Sequence, residues 1–128
     1  MKKQLVFVYG TLRKEGSNAN YLQYAKYIEH SCYAQGQLYD TGWGYPALIL
    51  EKNKWVTGEL YEVTKEELKR LDELEDFVEN RAKNLYDRIV AKIKTSVGDK
   101  EALMYVMNTK ANDFISIEEN DWIKYLQR

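Results

Sequence analysis

A chain of 128 residues, 45% of them hydrophobic, is long enough to bury a real core and fits one domain over residues 1–128. Its 19 basic and 20 acidic residues leave a formal net charge of -1, which makes no demand for nucleic acid or an anionic membrane as partner. One cysteine (Cys32) and one histidine (His30) exclude an internal disulfide and leave too few ligands for a Cys/His metal site.

Residues 5–9, "LVFVY", are a continuous apolar run and predict a central strand. The run is too short for a signal peptide and no small-residue cleavage site follows. No stretch approaches the ~20 apolar residues of a membrane span, so a soluble, cytoplasmic protein is expected. The strand breaks at Tyr9-Gly10-Thr11-Leu12. Glycine there permits a positive φ or a close approach to a ligand. Successive free N–H groups, with the Thr11 hydroxyl, would make a cradle for a carboxylate or phosphate. It is not a P-loop, because no second glycine followed by Lys-Ser/Thr occurs. An ordinary strand–loop turn is the competing reading.

Residues 20–29 predict a short helix capped by Ser17 or Asn18. "CYAQGQLYD" (32–40) predicts a second strand, and "TGWGYP" a loop holding the single proline, Pro46. In "WVTGELYEV" (55–63), Trp55, Thr57, Glu59, Tyr61 and Val63 share one face of a strand, and Gly58 signals a bulge or close approach. Thr64-Lys65-Glu66-Glu67 is a capping box and opens a helix to about Asp76. Residues 85–93 alternate as a strand, "VGDKE" (97–101) turns, 102–107 return, and 120–127 predict a terminal helix. Strict βαβ alternation is missing, so the class is α+β with a mixed sheet or small barrel.

On a helical wheel Leu68, Leu71 and Leu74 form a stripe, and Glu75 falls between Leu68 and Leu71. Asp72 lies at the stripe's edge; Glu73 and Asp76 lie further out. A carboxylate on a buried stripe raises its pKa or finds partners. One of raised pKa facing a cavity suits general acid–base work. The alternative is that Glu75 swings into water or pairs with Arg81 or Arg88. Tyr86 and Arg88 share a strand face. Tyr105 sits mid-strand among apolar residues, where its hydroxyl needs a partner. Cys32 reads as a small core or surface residue.

Taken together, "VFVYGTLR", "GQLYDTGWGYPAL", "VTGELYEV", "LDELEDF", "YDRIVAKI", "ALMYV" and "NDWIKYL" resemble, in order and over nearly the whole chain, the gamma-glutamylcyclotransferase-like family. The likeness is to its small bacterial members and to the gamma-glutamylamine cyclotransferases. It implies a small mixed-sheet β-barrel flanked by helices, with one cavity. It implies an amide-cleaving, cyclising transferase or lyase: the α-amine of a γ-glutamyl amide attacks its own γ-carbonyl, giving 5-oxoproline and a free amine. No cofactor or metal is implied. Carried onto this sequence, Glu75 is the catalytic glutamate, and Tyr9, Gly10, Thr11 and Leu12 form the substrate loop. Tyr105 lines the cavity and Tyr45-Pro46 lies near its mouth. Tyr86 and Arg88 match a "YxR" that serves as wall, as orientation for Glu75, or as a structural pair, and Arg88 is counted with Tyr9, Gly10, Thr11, Leu12, Tyr45 and Tyr105 among the substrate-binding residues. Where the family often has glycine after the glutamate, this chain has Asp76, which would raise the pKa of Glu75 or reshape the turn. A non-catalytic small-ligand-binding module on the same fold, and hydrolysis or amine transfer, are the rival functions. The amine half of the substrate (an amino acid, a lysine side chain, a polyamine or an aminoglycoside) and the oligomeric state stay open.

Overall fold

The computed structural model describes residues 3–127. The expected first strand is β1 (Gln4–Val8), and both its faces are buried. Phe7 enters one apolar cluster while Val6 and Val8 enter another, as the period of two requires. After a 3-10 turn at Ala19–Leu22 come β2 (Lys26–Gln35), β3 (Gln37–Asp40), β4 (Pro46–Ile49) and β5 (Trp55–Val63). Then follow α1 (Lys65–Leu74), β6 (Asp87–Thr95), β7 (Gly98–Val106), β8 (Ile115–Ser116) and α2 (Trp122–Leu126).

Five strands close a mixed barrel in the order β1-β5-β2-β6-β7, and β4-β3-β8 form a second sheet. The barrel closes where β1 runs parallel to β7 at Val6 and Leu103. All five barrel strands feed its interior, among them Phe7, Cys32, Leu60, Ile93 and Met104. The second cluster packs α1, through Leu68 and Leu71, on the outer face of β1, β5 and β7. Gly58 marks a close approach: a Cβ there would stand 2.4 Å from Phe7 Cζ. The α1 capping box is present, with Thr64 Oγ1 accepting from the Glu67 N–H (3.1 Å) and Glu67 Oε1 from the Thr64 N–H (2.8 Å).

Several expected elements differ. Residues 20–29 are a short 3-10 turn and the first half of β2, not a helix. The ladder from β2 to β5 slips twice between Tyr27 and Cys32, which breaks the alternation that would have announced a strand. Residues 32–40 are two strands in two sheets, divided at Gly36, where a Cβ would lie 2.6 Å from Leu48 Cδ2. Pro46 opens β4 instead of lying in the loop, a position where its missing N–H costs nothing. The hairpin turn is Ser96-Val97, tighter than the expected 97–101, with Gly98 at φ 108° just after it. The two-residue strand β8 went unread. The C-terminal helix is present but shorter, capped by Asp121, whose side chain accepts from the Lys124 N–H.

Candidate active site

A cavity of about 370 Å³ opens where β1, the 43–46 loop, the end of α1 and the entry to β6 converge. That volume suits a small ligand. Every sequence-expected site residue lines it except Arg88.

Glu75 comes to the cavity because α1 stops there. It is the helix C-cap, and its N–H donates to the Leu71 carbonyl at 3.0 Å. The next residue, Asp76, takes the left-handed conformation at φ 51°. The N–H of Asp76 reaches Glu73 O (3.2 Å) and that of Phe77 reaches Asp72 O (2.8 Å), the double bond of a Schellman ending. This position favours glycine, and Asp is one of the few other residues that tolerate it. Asp76 thus adopts the turn that glycine favours, at a conformational cost. Asp76 does not shift its neighbour. Burial alone pushes the Glu75 carboxyl up to about 7. Among the described residues that carboxyl makes no hydrogen bond or ion pair, so the alternative of pairing with Arg81 or Arg88 does not occur. Tyr9, Tyr45, Tyr86 and Tyr105 stand near enough for its charge to oppose their ionisation, although burial does more to raise each of them.

The loop after β1 faces this carboxyl. The Tyr9 hydroxyl donates to the Tyr105 carbonyl at 2.6 Å and anchors the loop. Gly10 does not have a positive φ. Its missing side chain instead admits Pro46, whose Cγ would lie 2.7 Å from a Cβ at this position. The close approach foreseen for a ligand is therefore made by the chain itself. The Leu12 side chain is buried in the core. The N–H groups of Gly10, Thr11 and Leu12 donate to no protein acceptor among the described residues. Thr11 Oγ1 accepts from Asn18 Nδ2 at 3.0 Å, which leaves the hydroxyl proton free to donate. These donors line the cavity and can hold an anion.

Arg88 is elsewhere. It pairs with Asp72, stacks over Phe77 at 5.0 Å and lies 3.8 Å from Glu79. Of the three roles read for it, structural pairing is the one it takes. Tyr86, its partner in the "YxR", does line the cavity and donates to the Pro46 carbonyl at 2.5 Å. Cys32 is a buried core residue whose thiol burial pushes up to about 12.

Two supports were missed in the sequence. Asp72, three residues before Glu75, receives the Tyr105 hydroxyl at 2.6 Å. Its place at the edge of the leucine stripe was the available signal. Arg13 is buried between Glu59 (3.0 Å) and Asp121 (2.8 Å). Glu59 also accepts from the Lys14 N–H (2.8 Å) and the Tyr61 hydroxyl (3.0 Å). A carboxylate flanked by apolar residues in "WVTGELYEV" was the sign that β5 holds a buried charge needing a cation.

Residues 6–124 match the family described as "Gamma-glutamyl cyclotransferase, AIG2-like". The chain is 42% identical over 121 residues to gamma-L-glutamyl-butirosin B gamma-glutamyl cyclotransferase of Niallia circulans, covering 94% of this chain and 76% of that protein. The crystal structure of YkqA from Bacillus subtilis superposes with a TM-score of 0.79 at 28% identity, over 98% of this chain and 42% of that one. PH0828 from Pyrococcus horikoshii does so with a TM-score of 0.73 at 26% identity, over 97% and 93%. The family match over residues 6–124 and the likeness to these relatives bring fold and sequence together, and the chain belongs to the AIG2-like gamma-glutamyl cyclotransferase family.

Proposed function

We propose that this protein converts a γ-glutamyl amide to 5-oxoproline and a free amine, with Glu75 as general base and then general acid. Family membership supports cyclotransferase-type chemistry in general. The observation that carries the finer reading is the unpaired Glu75 carboxyl, held near neutrality by burial and facing a loop of free N–H donors.

The α-carboxylate of the glutamyl half would rest on the N–H groups of residues 10–12 and the Thr11 hydroxyl. The α-ammonium, with an ordinary pKa of about 8, must lose a proton before it attacks. Glu75 takes that proton. The freed nitrogen closes on the γ-carbonyl carbon, a C–N bond forms, and charge develops on the carbonyl oxygen, which nearby N–H donors stabilise. The original amide C–N bond then breaks. Glu75 returns its proton to the leaving nitrogen. The ring nitrogen still carries one proton too many and gives it up through the regenerated carboxylate to the departing amine, which leaves as an ammonium. Glu75 ends as a carboxylate and no co-reactant is needed. The attack is intramolecular, so folding the substrate into attack geometry supplies much of the acceleration.

The test is 5-oxoproline release from a panel of γ-glutamyl amides by wild type and Glu75→Gln. Product from wild type, with Glu75→Gln folded and at least about a thousandfold slower, is the expected result. Full turnover by Glu75→Gln overturns the assignment of the base. Ligand binding without product would return the site to a binding module.

A further inference from the structure

We infer that the mouth of the cavity selects substrates whose amine half carries a positive charge, with Asp76 and Trp43 as the selecting residues. The inference rests on the cyclotransferase reading and deepens it. The charge of the lining is one-sided. Glu75 and Asp76 line the cavity, and no Lys, Arg or His among the described residues does. The glutamyl carboxylate is met by backbone N–H groups and its α-ammonium by Glu75, which leaves the Asp76 carboxylate for the amine half.

The two selecting residues stand at the opening. Trp43 is 56% exposed and the Asp76 side chain 77% exposed, yet both line the cavity. With the glutamyl half on the 10–12 loop, as proposed, the amine half extends toward these two residues of the same lining. Trp43 packs edge-to-face on Phe114 at 5.7 Å and lies 6.0 Å from the Tyr45 ring, so an aromatic wall borders the exit. Such a wall attracts cations.

Asp76 supplies the independent observation. It occupies a left-handed position at φ 51° where glycine would be cheaper. Strain kept at a cavity mouth points to a use for the side chain. Among the described residues its only ionic partner is Arg81, 3.6 Å from Oδ2. Arg81 places its hydrogen bonds on the Asp76 carbonyl (2.5 Å) and on Asn84 Oδ1 (2.8 Å). Among the described residues the Asp76 carboxylate accepts no hydrogen bond, and it is open to an incoming ammonium. An amine half ending in a carboxylate would meet like charge at Asp76, and the neighbouring cation, Arg81, already has its hydrogen bonds placed on the Asp76 carbonyl and Asn84.

The experiment compares three γ-glutamyl amides of one length: those of n-butylamine, 1,4-diaminobutane and 4-aminobutanoate. Only the terminal group differs: neutral, cationic or anionic. The kcat/KM for 5-oxoproline release should favour the diamine over the neutral amide by about fivefold or more, and disfavour the acid by a similar factor. Raised salt should shrink both ratios. Asp76→Asn keeps a residue suited to the left-handed position and removes only the charge. It should lower the diamine-to-neutral ratio about two- to fivefold, and Trp43→Ala should do likewise. Equal kcat/KM for all three amides, or ratios indifferent to Asp76→Asn, overturn this inference and leave the cyclotransferase reading standing. No 5-oxoproline from any of them overturns that reading, and the inference falls with it.

Discussion

Tyr105 gives its hydroxyl proton to Asp72, whose other oxygen holds Arg88. With its proton committed to Asp72, the Tyr105 oxygen has only acceptor capacity left, in a residue that lines the cavity. It is then suited to accept from the substrate's α-ammonium beside Glu75. Tyr105→Phe is expected to raise KM for a γ-glutamyl amide about fivefold or more, at a stability cost of roughly 1–2 kcal/mol for the lost charged hydrogen bond. Asp72→Asn removes the charge opposite Arg88, whose side chain is only 18% exposed, and should cost about 1–3 kcal/mol. Arg88→Gln should lower the Tm and leave KM within about twofold, since Arg88 stands outside the cavity. Steady-state kinetics beside thermal melts separate the three. A tenfold KM rise in Arg88→Gln with an unchanged Tm would return Arg88 to the substrate site.

Glu75 couples activity and stability to pH in opposite directions. Its carboxyl titrates near 7 in the folded chain against an ordinary 4.5. Between those values the folded state keeps a proton that the unfolded state has lost, so stability falls as pH rises through the window. The loss is complete above the folded value and amounts to roughly 3 kcal/mol at most. Glu75→Gln should therefore melt above wild type at pH 8, and the gap should close toward pH 4.5. Activity runs the other way, because the base form is the working one. The kcat of wild type should fall about tenfold per unit below pH 6. A kcat that stays level down to pH 5 would remove Glu75 from the proton transfer.

The buried Arg13 joins the loop of residues 9–18 to β5 and to the cap of α2, through Glu59 and Asp121. Its own N–H donates to the Gly10 carbonyl at 3.1 Å, so its position is transmitted to the anion-binding donors. Arg13→Ala would leave two buried carboxylates facing each other and should cost about 3–5 kcal/mol. Arg13→Lys restores the charge but not the fork that reaches both partners, and should fall between, with a raised KM. Urea unfolding gives the first quantity and initial rates the second. An Arg13→Ala variant as stable as wild type would mean that the triad contributes nothing.

How much of this could be read beforehand depended on whether a residue's environment was local. Glu75 was legible because three leucines and the capping box place it on a helix, and a helix carries its own geometry. The 5–9 strand and the 55–63 strand were legible because apolar runs and alternation are local signals. The 20–29 segment was not, since bulges in β2 erase the period and its partner β5 lies some thirty residues away. Arg13 was invisible for a related reason: its partners Glu59 and Asp121 are separated from it by 46 and 108 residues. On the wheel Asp72 lay at the edge of the leucine stripe and Asp76 out toward solvent. One meets a tyrosine from β7, and the other sits where the helix ends, and neither circumstance is encoded in helical spacing.

Gly10 is small so that Pro46 can lie against it, and this contact fixes how closely the 10–12 loop approaches β4. A Cβ at residue 10 would meet Pro46 Cγ at 2.7 Å and Cδ at 2.8 Å. The proline ring is rigid, and the Tyr86 hydroxyl holds the Pro46 carbonyl at 2.5 Å, so Pro46 cannot retreat cheaply. In Gly10→Ala the loop must therefore move, carrying the N–H groups of residues 10–12 away from their aim. Overpacking of this kind costs roughly 1–3 kcal/mol. The KM should rise about tenfold, because the displaced donors are the ones assigned to the glutamyl carboxylate. Pro46→Ala deletes both clashing ring atoms. Combined with Gly10→Ala, it should recover part of the Tm and part of the KM, so the two substitutions will be non-additive. Kinetics and melts on the four members of this cycle make the check. If Gly10→Ala matches wild type in both, the glycine serves something other than this contact. If the double variant is no better than Gly10→Ala alone, the clash lies with a neighbour other than Pro46.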